Sequence, residues 1–313
     1  MNEHKKKISF IIPVYNEDAV IPELTSSLSK FINSQKKYEF EAIFVENGSV
    51  DNSFNLLKKA AKKEKRFKIL QLSRNFGCDG GIAAGMQKVE GDACVMMMAD
   101  LQEPIELVNR FVEKWEKGYQ IVYGIVRQRT ASKLRNFSSV MFYKIINFFT
   151  KNMFPENASD FRLIDKRVYL TINRMNEQNK YLRGLIMWTG FKHTGILFDR
   201  KKRFAGESKA DLKTVANVAL NGMFSFSYLP LRMVSFLGIT MTLISILLIF
   251  FYLYFFLVHG REAPGIATII LLILILFGIL FFVLGIISEY IVRIYDEAKG
   301  RPTHIVKSKI NMK

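Results

Sequence analysis

Residues 93–104 read ACVMMMADLQEP. Ala93 to Met98 form a short apolar run, which predicts a buried strand. The run ends in Asp100, Gln102 and Glu103, and Pro104 with Ile105 then starts a helix-like segment. A strand that delivers a carboxylate at its C-terminal edge, just before a turn, is where open α/β sheets bind their ligands. Asp100 and Gln102 present hard oxygen atoms on alternate residues. That suits one divalent cation, Mg²⁺ or Mn²⁺, bridging to a diphosphate. The same residues also allow a plainer arrangement, in which Asp100 only caps the helix that follows.

Outward from this stretch, short β-branched runs alternate with helical spacing. ISFIIPV at 8–14 predicts a strand, with the turn Tyr15-Asn16-Glu17 behind it. Val20, Ile21, Leu24, Leu28, Phe31 and Ile32 follow at helical spacing. Residues 40–45 and 67–72 are further strands, with a helix at 51–63 between them and the loop Ser73-Arg74-Asn75-Phe76-Gly77 after the second. Gly80, Gly81, Ala83, Ala84 and Gly85 open a small-residue helix that lets a backbone or ligand approach closely. A helix at 107–115 and a strand at 121–126 complete the pattern. The fold class expected is α/β: a mainly parallel sheet with helices on both faces.

From Ser132 the pattern changes. Leu134, Phe137, Met141, Ile145 and Phe148 repeat at helical spacing, and a second amphipathic stretch runs from Leu212 to Phe226. Basic residues flank both, so each reads either as a core-facing helix or as one lying at a membrane surface. Residues 233–258 and 265–288 contain no charged side chain. Each exceeds the ~20 residues needed to span a bilayer core. Six residues, His259 to Pro264, separate them, which predicts a tight antiparallel transmembrane hairpin with both flanking segments on one side. Lys and Arg crowd that side, whereas the hairpin tip carries only Arg261; the positive-inside rule then makes both termini cytoplasmic.

Composition narrows the partners. The chain has 313 residues, half of them hydrophobic, yet 45 Lys+Arg against 28 Asp+Glu give a net charge of +17. Such charge suits an anionic membrane surface or a phosphate-bearing substrate. No zinc-type or RNA-binding signature accompanies it, so nucleic acid is not expected. Cys78 and Cys94 have no paired spacing, and the four histidines form no metal or triad constellation. The first ten residues, MNEHKKKISF, lack the apolar run of a signal peptide.

Seven segments then occur together in order: IPVYNE at 12–17, ENGSVD at 46–51, SRNFG at 73–77, ADLQEP at 99–104, SDFRLID at 159–165, RFAGESK at 203–209 and EYIVRIYDEAKGRP at 289–302. With the hairpin, they make the chain resemble a family 2 glycosyltransferase of the polyprenyl-phosphate type, the group of bactoprenol glucosyltransferases and dolichol-phosphate mannose synthases. The resemblance covers nearly the whole chain. It implies a GT-A-like catalytic domain at 1–210 with an interfacial helix near 132–151, an interfacial amphipathic helix at 211–231, the transmembrane hairpin at 232–289 and a cytoplasmic tail at 290–313.

By that resemblance Pro13, Tyr15, Glu17 and Glu46 line the nucleoside pocket, Arg74 lies near the donor, and Asp100 and Gln102 hold the metal. The family often has D-x-D where this chain has Met98-Ala99-Asp100, and Glu46-Asn47 replaces a usual Asp pair. Arg127, Arg135 and Ser139 match the family's phosphate-holding residues. Arg135 and Ser139, four apart, share one helix face, although Arg135 also reads as the solvated side of an amphipathic helix. Arg203 and Lys209 lie where a loop closes over phosphates. Asp160 is a base, an electrostatic stabiliser or an orienter of Arg162; the sequence leaves all three open.

The activity implied is inverting transfer of a hexose, glucose from UDP-glucose, to undecaprenyl phosphate at the inner face of a bacterial cytoplasmic membrane, with Mg²⁺ or Mn²⁺. Nucleotide sugar, polyprenyl phosphate and membrane are the expected partners, and a homo-oligomer is admitted. Transfer of an amino-arabinose derivative or mannose is the alternative within enzymes. A non-catalytic scaffold is the alternative outside them.

Overall fold

Ile8, Phe10, Ile11, Ile12 and Val14 are completely buried, so strand β1 (Lys7–Val14) is covered on both faces, as in a parallel sheet sandwiched by helices. The structure is a computed structural model that describes residues 5–127, 153, 155, 157–178, 180–201, 204, 222, 224–259 and 266–312. After β1 come α1 (Ile21–Ser34), β2 (Glu39–Glu46), α2 (Ser53–Lys63), β3 (Phe67–Leu72), α3 (Gly77–Met86), β4 (Ala93–Met96), α4 (Leu107–Glu116) and β5 (Ile121–Val126). Then follow β6 (Ala158–Asp165), α5 (Lys166–Asn173), α6 (Leu182–Trp188), β7 (His193–Phe198), α7 (Leu229–His259), α8 (Ile266–Lys299) and β8 (Val306–Ile310).

The eight strands form one sheet in the order β7-β5-β6-β4-β1-β2-β3-β8. The central β4-β1-β2-β3 block is parallel throughout. β6 runs against β4 and β5, and β8 runs against β3. Helices on both faces make this the expected GT-A-like α/β architecture. Aromatic edges fill the core under α1: Phe31 packs edge-on against both Phe10 and Phe40. On α3, a Cβ at Gly85 would lie 2.6 Å from Ile11 Cγ2 and 2.8 Å from Val45 Cγ2. Glycine therefore lets this helix rest on β1 and β2.

Two expectations need correcting. The strand expected to reach Met98 leaves the ladder after Met96, because the Met98 N–H donates to the Glu103 carboxylate at 3.1 Å instead of to a neighbouring strand. The tail after α8 is more than a tail, since VKSKI pairs with the edge of β3. Asn311 fastens it by donating to the carbonyls of Ala61 and Phe67, both at 2.8 Å. The amphipathic helices expected near 132–151 and 211–231 fall mostly outside the described residues.

The chain divides into two compact units, Met1–Gly222 with Arg301–Lys313, and Met223–Gly300. In the second unit, Leu229–Phe255 and Leu272–Lys299 are each long and apolar enough to cross a membrane, and almost none of either stretch is buried within protein. Ser235, Thr240, Thr242 and Ser245 turn their hydroxyls onto carbonyls one turn back, which removes their polar groups from an apolar surround. Residues 224–227 are pinned to α8: Tyr290 donates to the Ser227 carbonyl at 3.0 Å, and Arg293 to Ser225 Oγ at 3.0 Å.

Candidate active site

The parallel strands β1, β2, β3 and β4 all end on one side, and the order reverses between β1 and β4, where open α/β sheets bind ligands. The loops there are laced together. Asn16, at φ +53°, donates from its N–H to Ser49 Oγ at 3.1 Å and accepts from Val50 N–H at 2.9 Å. The Glu17 N–H donates to Ser53 Oγ at 2.9 Å. Asn47 is buried, donates to Asn75 Oδ1 and the Gly77 carbonyl, and accepts from Phe76 N–H, so it ties the loop after β2 to the loop after β3. Gly48 sits at φ +72°, and a Cβ there would lie 2.5 Å from the Arg74 backbone.

Pro13, Tyr15, Glu17, Glu46 and Arg74 thus share one sheet edge. Glu46 is buried and accepts from Ser49 N–H at 2.5 Å. The Arg74 guanidinium lies 4.2 Å from the Phe76 ring centre. Arg127 stands apart: it follows β5, which β6 separates from β4, and it is exposed and pairs with Asp199 at 3.4 Å. Arg135, Ser139, Arg203 and Lys209 lie outside the described residues.

At the end of β4 the chain turns through Leu101, at φ +56°. Asp100 is buried, and its Oδ1 accepts from Gln102 N–H at 3.2 Å. It does not cap α4, whose first turn has Glu106 at the cap position with no side-chain bond. The segment after β7 lies along this turn: Lys201 N–H donates to the Gln102 carbonyl at 2.9 Å, and Gln102 Nε2 to the Lys201 carbonyl at 3.3 Å. Glu103 is turned inward, accepting from Met98 N–H and, at 2.9 Å, from Ser159 Oγ. Burial pushes its carboxyl up to about 7.

No cluster of three or more His, Cys, Asp or Glu that could hold a metal occurs among the described residues. One carboxylate beside an amide is a donor set that fits Mg²⁺ or Mn²⁺ when the remaining ligands are substrate phosphates and water. Met98 Sδ instead faces Cys78 Sγ at 3.9 Å; two soft sulfurs are poor ligands for a hard cation.

Asp160 opens β6 and is gripped by two arginines. Arg183 donates from Nε at 3.0 Å and from Nη2 at 2.7 Å to its two oxygens, and Arg162 reaches it at 3.5 Å. Burial opposes the charge, but Arg183, then Arg162 and Arg200, outweigh it and hold the carboxyl at about 2. Asp79 on α3 shows the reverse. Burial, and next the charge of Asp160, push it up to about 7. Both line a cavity of about 440 Å³.

Sequence reading missed Asp79 and Arg183. Asp79 stood unremarked before the small-residue run, and Arg183 meets Asp160 only because α6 packs near the start of β6.

The raised Asp79 has a measurable consequence for stability. Between its ordinary value of 3.8 and about 7, the folded protein keeps a proton that the unfolded chain has released. Stability therefore falls as pH rises through that window, by at most about 1.4 kcal/mol per pH unit. Asp79→Asn is expected to flatten the fall in thermal midpoint between pH 5 and pH 7.5, measured in detergent micelles. Equal falls in variant and wild type would contradict the assignment.

The family model described as glycosyl transferase family 2 matches residues 9–172, the span from β1 to α5. The Bacillus subtilis (strain 168) protein called uncharacterized glycosyltransferase YkcC is 39% identical over 300 residues, 96% of this chain and 93% of that one. The bactoprenol glucosyl transferase of Shigella phage SfX is 33% identical over 304 residues, 97% of this chain and 99% of that one. Among solved structures, glucosyl-3-phosphoglycerate synthase from Mycobacterium tuberculosis is similar at 14% identity and a TM-score of 0.49, over 71% of this chain and 80% of that one. The family match over half the chain, with relatives of this identity along nearly all of it, shows that the chain belongs to glycosyl transferase family 2.

Proposed function

We propose that this protein transfers a hexose, glucose from UDP-glucose, to the phosphate of undecaprenyl phosphate, with inversion, at the cytoplasmic face of a bacterial membrane. The observation that carries this reading is the layout of the chain. It leaves the sheet for two apolar helices and comes back to add β8 to the same sheet. An enzyme tied on both sides of a membrane hairpin suits an acceptor that lives in the membrane. The near full-length similarity to bactoprenol glucosyl transferases supports the same acceptor and sugar.

In this reading residues 1–210, joined by β8, are the catalytic domain, 211–231 an interfacial helix and 232–289 the hairpin, and 290–313 bring the chain back to the sheet on the cytoplasmic side. Pro13, Tyr15, Glu17, Glu46 and Arg74 take the nucleoside side of the donor. Asp100 and Gln102 would hold Mg²⁺ or Mn²⁺, which offsets charge on the diphosphate leaving group. Arg127, Arg135, Ser139, Arg203 and Lys209 hold the lipid phosphate, for which guanidinium forks are suited. That phosphate has a second pKa near ~6 and is mostly a dianion at neutral pH. It attacks the anomeric carbon without surrendering a proton, so Asp160 acts as a fixed anion and needs no base strength.

The test is to offer the purified full-length protein a panel of labelled nucleotide sugars with undecaprenyl phosphate and Mg²⁺. A glucolipid of inverted anomeric configuration from UDP-glucose is expected. Transfer from a different sugar nucleotide alone overturns the sugar, and nucleotide binding without any glycolipid favours a scaffold.

Topology gives a second check. Because two crossings return the chain to its starting side, a cysteine placed at Arg261 should label from outside intact cells and one at Lys307 should not. The reverse pattern would refute the cytoplasmic assignment.

A further inference from the structure

We propose that the cavity beside Asp160 is the pocket that reads the transferred sugar, with Asp79, Gln178 and Lys180 choosing among hexoses. The inference rests on the donor site proposed above and extends it to residues beyond the motifs. At about 440 Å³ the cavity falls within the range of about 300–1,000 Å³ typical of small-molecule sites.

Its walls favour a neutral polyol. The charges of the lining offset one another: the Arg183 fork answers Asp160, and Asp79 and Lys180 are of opposite sign when ionised, so the wall is not built for a bare anion or a bare cation. A purely apolar ligand would strip water from Gln178, Lys180 and Tyr181, which also line it, and would return no hydrogen bonds. Ring hydroxyls both donate and accept, and so match carboxylate, amide and ammonium groups together. Asp79, pushed up to about 7 by burial and by Asp160, is able to donate or accept near neutral pH. Around it stand Cys78 on its own helix, Asp160 and Arg162 on β6, and Arg183 and the Leu182 N–H on α6.

Position links the cavity to the donor. Cys78, in its wall, faces Met98 at 3.9 Å, two residues before Asp100. Asp160 follows Ser159, which donates to Glu103 of the same turn. A sugar attached to a diphosphate at Asp100 is therefore carried toward Asp79 and Asp160. Gly80 keeps the floor low: a Cβ there would meet Phe76 Cβ at 3.0 Å and the Thr303 carbonyl at 3.6 Å.

The experiment uses the full-length protein in detergent with Mg²⁺, as wild type, Asp79→Asn, Lys180→Met and Gln178→Ala. Calorimetry gives the Kd for UDP, and steady-state assays give kcat/KM for UDP-glucose, UDP-galactose and UDP-N-acetylglucosamine. A site built to hydrogen-bond hydroxyls discriminates strongly between isomers. In the variants, preference among the three sugars should change at least tenfold while UDP affinity stays within twofold. Preserved preference, or UDP affinity lost in parallel, overturns the inference. Asp79 accepts from the Leu182 N–H at the start of α6; if Asp79→Asn fails to fold, Lys180→Met and Gln178→Ala decide alone. A wild type that binds no sugar nucleotide more tightly than UDP also overturns it. A wild type that prefers a sugar other than glucose, or another acceptor, corrects the proposed function and leaves this pocket to be judged by its variants.

Discussion

Asp100→Ala is expected to lower turnover by about 10²–10³-fold or more, while Met98→Ala keeps most of it. The asymmetry follows from the turn after β4. Glu103, the neighbouring carboxylate, is committed inward to the Met98 N–H and to Ser159. Asp100, whose Oδ1 accepts from the Gln102 N–H, is then the carboxylate of that turn that would meet a cation–diphosphate pair on the function proposed above. Met98 stands where the first acid of a D-x-D would be, but its sulfur packs toward Cys78 and offers a hard cation nothing. Removing Asp100 leaves charge on the departing diphosphate poorly offset, and the loss should be in kcat with weaker Mg²⁺ dependence. The check is a Mg²⁺ titration of kcat in both variants, with circular dichroism to show that each is folded. Equal losses in the two folded variants would move the metal away from Asp100.

The parallel half of the sheet was legible because its strands are buried on both faces. ISFIIPV, EFEAIFVE and FKILQL are continuous apolar or alternating runs bounded by turn residues, and helices with clear apolar stripes separate them. The antiparallel additions were not. β6 carries Ser159, Asp160 and Arg162 inside a short run, and these polar residues break up the apolar pattern that marks a strand. β8 is five residues with lysines at alternate positions, a pattern that an exposed edge shares with solvated coil. Only its pairing with β3 tells the two apart.

Site residues divide in the same way. Those held by local turns, such as Asn16, Gly48 and Asp100, could be picked from motifs. Asp79 and Arg183 gain their chemistry from segments about a hundred residues apart meeting at one cavity, and no spacing rule encodes that. The plainer reading of Asp100 as a helix cap fails on geometry, since α4 begins at Leu107.

Asp160→Asn is expected to cost about 10²–10³-fold in turnover and to leave the wild-type acid limb in place. A general base works best when its pKa lies near the working pH, and Asp160, held at about 2 by Arg183, Arg162 and Arg200 against burial, is far below it. On the function proposed above, what it supplies is a permanent negative charge near the anomeric carbon, where positive charge develops as the sugar–diphosphate bond breaks. The acid limb of kcat/KM should then belong to the acceptor phosphate, near ~6. Arg183→Met separates the roles further. Without its two-point partner, Asp160 keeps the burial that raises its pKa and loses the largest influence that lowers it. Its pKa therefore rises, and the anionic, active form is lost as pH falls through the new value. The variant should show an acid limb displaced upward relative to wild type, whereas a base role predicts an Asp160 limb already present in wild type and abolished by Asp160→Asn. Full pH–rate profiles of the three proteins at saturating lipid distinguish these cases, because a base role does not let Asp160→Asn lower the whole curve without changing its shape.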